Sequence, residues 1–230
     1  MQIGDNKIRM KDVSLTVPFS GGSVDLLKNI SLDLNVGERV GVIGRNGAGK
    51  TVLLKVASQI YSPSSGVIES NGSVISLFNI SSGINRNWTG RQNAEVKLLM
   101  YGIHPSHIGS YIEDIRNFAK IDKYFDSPVK HYSAGMSARL SFAIITSLSA
   151  EVLVLDEWIS VGDASFKESA TERFNSKVSS MGCVLFCTHS PDILKTWATK
   201  VIWMDGGEIV TTGAVQDVLD AFHESLRLKK

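Results

Sequence analysis

The sequence predicts an α/β fold that opens with antiparallel strands and carries a helical segment inserted in its middle. Three observations lead there. The short apolar runs Arg39–Ile43, Val152–Leu155 and Val184–Phe186 read as buried strands. Helical periodicity separates these runs and dominates from about Gln92 to Leu148. The first run ends in a glycine-rich turn that leads straight into an amphipathic helix.

The elements follow in order. Ile8–Val17 and Ile30–Leu34 alternate in part, as half-buried strands do, and Gly21–Gly22 lies between them as a turn signal. After the turn that closes Arg39–Ile43, Leu53, Val56, Ala57 and Ile60 stand at i, i+3, i+4 and i+7, one face of a helix that Pro63–Gly66 stops. Val67–Phe78 is again strand-like. Ile112, Ile115, Phe118 and Ala119 mark a helical face in the middle region, which Pro105 and Pro128 punctuate. Val201–Met204 and Glu208–Thr212 flank Asp205-Gly206-Gly207, a hairpin turn. Ala214–Leu228 closes the chain as an amphipathic helix. There is no internal repeat and no linker long enough to separate independent domains.

Composition bounds the function. The chain has 230 residues, 43% hydrophobic and 20% charged, which suits one domain with a sizeable core and excludes a disordered or collagenous protein. Lys plus Arg number 24 and Asp plus Glu 23, a net charge of +1 that gives no call for nucleic acid as a partner. The longest apolar stretch, Phe142–Leu155, is broken by Thr146, Ser147, Ser149 and Glu151 and falls short of a membrane span of about 20 residues. The N-terminus has no apolar core and is not a signal peptide. Cys183 and Cys187 share one apolar strand, too far apart along it to bridge, and read as reduced core cysteines of a cytosolic protein.

Three segments carry chemistry. Gly44-Arg45-Asn46-Gly47-Ala48-Gly49-Lys50-Thr51 fits G-x-x-x-x-G-K-[ST], the phosphate-binding loop, and leads into Val52 of the helix. Its glycines let backbone N–H groups turn inward on phosphate oxygens, and the helix start adds its positive end. Lys50 supplies charge for β and γ phosphates, and Thr51 a hydroxyl for Mg²⁺. Chance alone would produce the pattern in about one chain in a hundred of this length. In Val152–Glu157 a buried strand ends on Asp156 and Glu157, at the edge where ligands of open α/β sheets gather. Asp156 can hold Mg²⁺ and Glu157 can polarise an attacking water. Lys130–Ser137, rich in small residues, precedes a helix running toward Leu148, and an N-capping Ser there leaves helix-start N–H groups open to an anion.

This order of landmarks resembles the nucleotide-binding subunit of ATP-binding cassette (ABC) transporters over nearly the whole chain. The resemblance implies a RecA-like P-loop ATPase core with an N-terminal antiparallel β subdomain and an inserted α-helical subdomain. Residues 1–90 and 148–230 would form the core, and 91–147 the helical part. Ser133, Ala134, Gly135 and Met136 stand where the family has its signature, here YSAGM. Ser160, Val161, Gly162 and Asp163 match the D-loop, and His189 matches the switch histidine. Phe19, beside Pro18, is the candidate for adenine stacking. Val74–Asn87 contains no Gln for the family's usual Gln position, where Asn79 or Ile80 stands nearest.

The form YSAGM followed by Arg139-Leu140-Ser141-Phe142-Ala143, the VGD of the D-loop with Phe166 after it, and Trp88-Thr89-Gly90-Arg91-Gln92-Asn93 all resemble the subfamily that exports O-antigen, capsule or teichoic acid polysaccharides. That implies an ATP-hydrolysing motor at the cytoplasmic face of the bacterial inner membrane, with ATP and Mg²⁺ as cofactors. It also implies an integral membrane permease as partner, a second copy of the chain as homodimer partner, and a lipid-linked glycan as cargo. Only 18 residues follow Thr212, too few for the glycan-binding β-sandwich of about 100 residues that some members carry. The chain is therefore expected to leave cargo selection to the permease or to the lipid-linked head. Two alternatives stay open: a soluble regulatory or repair ATPase of the superfamily, and a small-molecule kinase.

Overall fold

The computed structural model describes residues 6–78, 83–156 and 164–228. Contacts divide the chain into two compact units. One comprises Met1–Leu77, Ala150–Trp158 and Met181–Lys230, and the other Phe78–Ser149 and Ile159–Ser180.

The first unit holds both sheets. Strands β1 (Asn6–Phe19), β2 (Gly22–Asn35) and β4 (Ser65–Ser70) make an antiparallel sheet in the order β2-β1-β4. Both long strands lose their alternation at a bulge, where Asp12 and Asn29 take positive φ. Ile8, Met10, Val13 and Leu15 still reach the core because the extra residue resets the face. The second sheet runs β5-β6-β7-β3-β8-β9, from β3 (Arg39–Ile43), β5 (Val74–Leu77), β6 (Val152–Leu155), β7 (Cys183–Cys187), β8 (Lys200–Asp205) and β9 (Glu208–Gly213). Its pairs are parallel except β8 with β9. Strands β6 and β7 are buried along their full length, as expected of strands in the middle of such a sheet. Helices α1 (Lys50–Ala57), α6 (Pro191–Trp197) and α7 (Val215–Leu228) complete this unit.

One expectation is refined and one is corrected. The strand-like Val67–Phe78 is two strands in two different sheets, β4 and β5. They part at Asn71-Gly72, where Gly72 takes φ +123 and a Cβ would overlap the Glu151 carboxylate. Helix α1 ends at Ala57, ahead of the proline: Ser58 Oγ donates to the Leu54 carbonyl and Gln59 turns to positive φ. Ile60 is therefore exposed instead of on the helix face.

The second unit is helical among the described residues: α2 (Gly90–Met100), α3 (Pro105–Ala119), a short 3₁₀ turn at Val129–His131, α4 (Ala134–Ser147) and α5 (Ala164–Ser180). Phe118, Phe142, Phe166 and Phe174 form an aromatic cluster with ring centroids 5.1–6.4 Å apart. The two rings from α5 bind that helix to α3 and α4, so it clusters with this unit although it follows β6 in sequence.

Candidate functional site

The site is built where β3 gives way to α1. Gly44 has φ +152, and a Cβ there would overlap the Met204 carbonyl oxygen. Gly49, at φ +96, is the N-cap of α1 in left-handed conformation, with the Leu26 carbonyl 3.0 Å from where a Cβ would stand. Both positions demand glycine, the first for space and the second for backbone conformation. The turn between them leads into α1, whose first residues line a pocket of about 490 Å³ and, as at any helix start, carry N–H groups with no partner within the helix.

That pocket lies wholly in the first unit. Asn46, Gly47, Ala48, Gly49, Lys50, Thr51 and Val52 line it together with Asp156 and His189. Lys50 Nζ donates to the Gly44 carbonyl at 2.8 Å and to the Arg45 carbonyl at 3.0 Å, so these two residues serve the loop through their backbone. The Thr51 hydroxyl donates to Asp156 Oδ1 at 3.1 Å. Asp156 follows the last residue of β6, and its N–H is held by the Leu77 carbonyl at 2.9 Å. His189 stands exposed two residues beyond β7, after the buried Thr188.

Periodicity gave no hint of the opposite wall. Val24, Asp25 and Leu26 of β2, Cys187 of β7, and Gly206 and Gly207 of the β8–β9 turn also line the pocket. Gly207 N–H donates to the Ala48 carbonyl at 3.1 Å, and Lys28 N–H donates to the Gly207 carbonyl at 2.9 Å. The hairpin turn thus braces the loop against β2. A Cβ at Gly207, which has φ +85, would stand 2.8 Å from the Leu26 carbonyl oxygen. Asp205-Gly206-Gly207 is legible in the sequence as a turn; its contact with the loop is not.

Other candidates lie elsewhere. Phe19 is 58% exposed near the end of β1, packs on Gly21, and is not among the pocket's lining residues. Ser133 is the N-cap of α4 in the second unit, its Oγ accepting from Met136 N–H at 3.1 Å, and Ala134, Gly135 and Met136 form the helix's first turn. Glu157, the D-loop residues Ser160–Asp163, and Asn79 and Ile80 fall outside the described residues.

The arrangement has a definite chemical capacity. The N–H groups of a helix start and an ammonium suit a polyphosphate. Thr51 and Asp156 offer two converging hard oxygens, a donor pair that fits Mg²⁺ when phosphate and water oxygens complete its shell. No cluster of three or more His, Cys, Asp or Glu able to hold a metal occurs among the described residues.

Residues 27–160 match the family described as "ABC transporter". The chain is 37% identical over 201 residues to the teichoic acids export ATP-binding protein TagH of Bacillus anthracis, covering 87% of this chain and 36% of that one. It is 30% identical over 205 residues to the O-antigen export system ATP-binding protein RfbB of Myxococcus xanthus, covering 89% and 47%. Against the TagH of Staphylococcus haemolyticus it is 31% identical over 223 residues, covering 97% and 84%. The chain thus spans about a third to a half of the length of the first two of these relatives. Among solved structures, the ATP-binding subunit of an ABC transporter superposes with TM-score 0.76 at 19% identity, covering 94% of this chain and 93% of that one. A dimeric ATP-binding cassette in a post-hydrolysis state bound to ADP and Pi gives 0.75 at 16% identity, covering 90% and 98%. At such identities these structures bear on the fold.

Proposed function

The chain belongs to the ABC transporter family, and on that footing we propose that it is the ATP-hydrolysing motor of a bacterial exporter of lipid-linked polysaccharide, of O-antigen, capsule or teichoic acid type. The observation that carries the ATPase reading is the convergence of Lys50, Thr51, Asp156 and His189 on one glycine-built pocket. The export names of the relatives support the cargo class. No described helix is long and apolar enough to cross a membrane. The export names of the relatives support a reading in which the work of hydrolysis passes to an integral membrane permease at the cytoplasmic face.

Each residue has a role in this reading. Gly44–Val52 cradle the phosphates, and Lys50 leaves the Gly44 and Arg45 carbonyls for the β and γ phosphate oxygens. Thr51 and Asp156 would hold Mg²⁺, which would supply positive charge against the phosphates. Glu157, next in sequence after Asp156, accepts a proton from the attacking water, and His189 meets the γ-phosphate from the end of β7. Ser133, Ala134, Gly135 and Met136 of a second copy cover the nucleotide, and Ser160, Val161, Gly162 and Asp163 stand in the sequence as the D-loop. Phe19 remains the candidate to stack on adenine.

The test is Glu157→Gln. An amide cannot act as the base, so ATP binding should persist and turnover should fall by about a hundredfold or more. A rate near that of the unaltered chain would remove Glu157 from catalysis.

A further inference from the structure

The segment Trp88–Asn93 lines no part of the pocket, yet nearly every residue in it is engaged. The Thr89 hydroxyl accepts from Gln92 N–H at 3.1 Å and the Gln92 side chain accepts from Thr89 N–H at 2.9 Å, a reciprocal cap on α2. Asn93 is 1% exposed. Its amide nitrogen donates to the carbonyls of Asn85 at 3.0 Å, Trp88 at 3.4 Å and Thr89 at 2.8 Å, while Oδ1 accepts from Asn85 N–H at 2.7 Å. One buried side chain therefore fixes both ends of the turn 85–89.

The turn in turn holds the chain that leads to α4. Val129 N–H donates to the Trp88 carbonyl at 2.9 Å and Lys130 N–H to the Arg86 carbonyl at 2.8 Å, and Thr89 bridges Pro128. Arg91 N–H donates to the Phe125 carbonyl at 3.1 Å, and its guanidinium pairs with Asp126 at 2.6 Å. Tyr132 donates its hydroxyl to the Tyr124 carbonyl at 2.7 Å and passes so close to Gly90 that a Cβ there would overlap the phenol oxygen. Ser133 comes next in sequence. Between the template at Lys130 and this serine lie only His131 and Tyr132.

We propose that Asn93 is a positioning residue for Ser133: through the 85–89 turn it sets where the segment 128–132 lies and hence where the first turn of α4 presents its serine. This rests on the reading that Ser133 covers the ATP of a second copy. None of the network's residues is among those that line the pocket, so its loss should spare ATP binding and impair only the step that needs Ser133.

The experiment uses the Glu157→Gln chain and reads two quantities. A fluorescent ATP analogue reports nucleotide affinity, and sedimentation velocity reports ATP-driven dimerisation. Asn93→Asp keeps the shape and the bond from Asn85 N–H but turns an oxygen toward three carbonyls. Gly90→Ala pushes on Tyr132 from the other side, and Tyr132→Phe in the same chain removes the obstructing oxygen. Both Asn93→Asp and Gly90→Ala should leave nucleotide affinity within about twofold and weaken dimerisation by about tenfold or more, the scale set by unsatisfied buried polar groups. Gly90→Ala with Tyr132→Phe should recover much of that loss. Should Asn93→Asp fail to fold, the Gly90 pair alone decides. Unchanged dimerisation in a folded variant overturns the proposal. So does a parallel fall in nucleotide affinity, which would mark a merely structural role. If Glu157→Gln with native Asn93 fails to dimerise with ATP, the shared-site reading falls first and the proposal with it.

Discussion

Lys50 rests on two carbonyls of its own loop, an arrangement that keeps the loop's oxygens satisfied until a better acceptor arrives. Lys50→Ala should therefore weaken ATP binding by about 10- to 100-fold, the range of a lost charge-assisted bond, with little change in melting temperature; titration calorimetry and a thermal melt check both. Gly207→Ala is the less obvious case. It touches no phosphate, but it strains a φ of +85 and crowds the Leu26 carbonyl that lies under Gly49. ATP affinity should fall about tenfold or more through the loop alone. Burial pushes the Cys183 thiol up to about 12. Its neutral form is stabilising in full below the unfolded value of about 8.5, and that contribution is lost as pH rises through the folded value. Cys183 should resist alkylation at pH 8 in the native chain and react readily in denaturant, read by mass spectrometry.

Continuous apolar runs and turns with a residue signature of their own are what the sequence reveals best. β3, β6 and β7 are continuous apolar runs, and the DGG turn between β8 and β9 is plain from its residues. What periodicity cannot supply is where a run changes partner or stops. Val67–Phe78 looks like one strand-like stretch because both halves are strands, and only pairing assigns them to separate sheets. Ile60 keeps the helical phase of α1, but Gln59 has already left the helix. The pocket divides in the same way. Its phosphate loop and Asp156 are legible as local motifs, while Val24–Leu26 and Gly207 join it through long-range pairing that leaves no local signature. In the helical unit, Phe142 sits at the centre of the aromatic cluster and is 2% exposed. Phe142→Ala should cost about 3–5 kcal/mol in denaturant unfolding, because three neighbouring rings would face the cavity it leaves.

For the molecule as a whole, the pocket and the α4 N-terminus fall in separate units, and the proposed chemistry needs both. A single copy would hold ATP through Lys50 and Thr51 yet offer its Ser133 to a partner's nucleotide. Two copies related by a twofold axis would then enclose two ATP molecules, each between the loop of one and the α4 start of the other. The most direct measurement is ATP turnover by a mixture of Lys50→Ala and Ser133→Arg chains, each inactive alone. In a mixed dimer both lesions meet in one site and leave the second site whole. An equal mixture should regain about a quarter of the unaltered rate, since half the dimers are mixed and each has one working site. No recovery, with mixed dimers shown to form, would contradict a site shared between two copies.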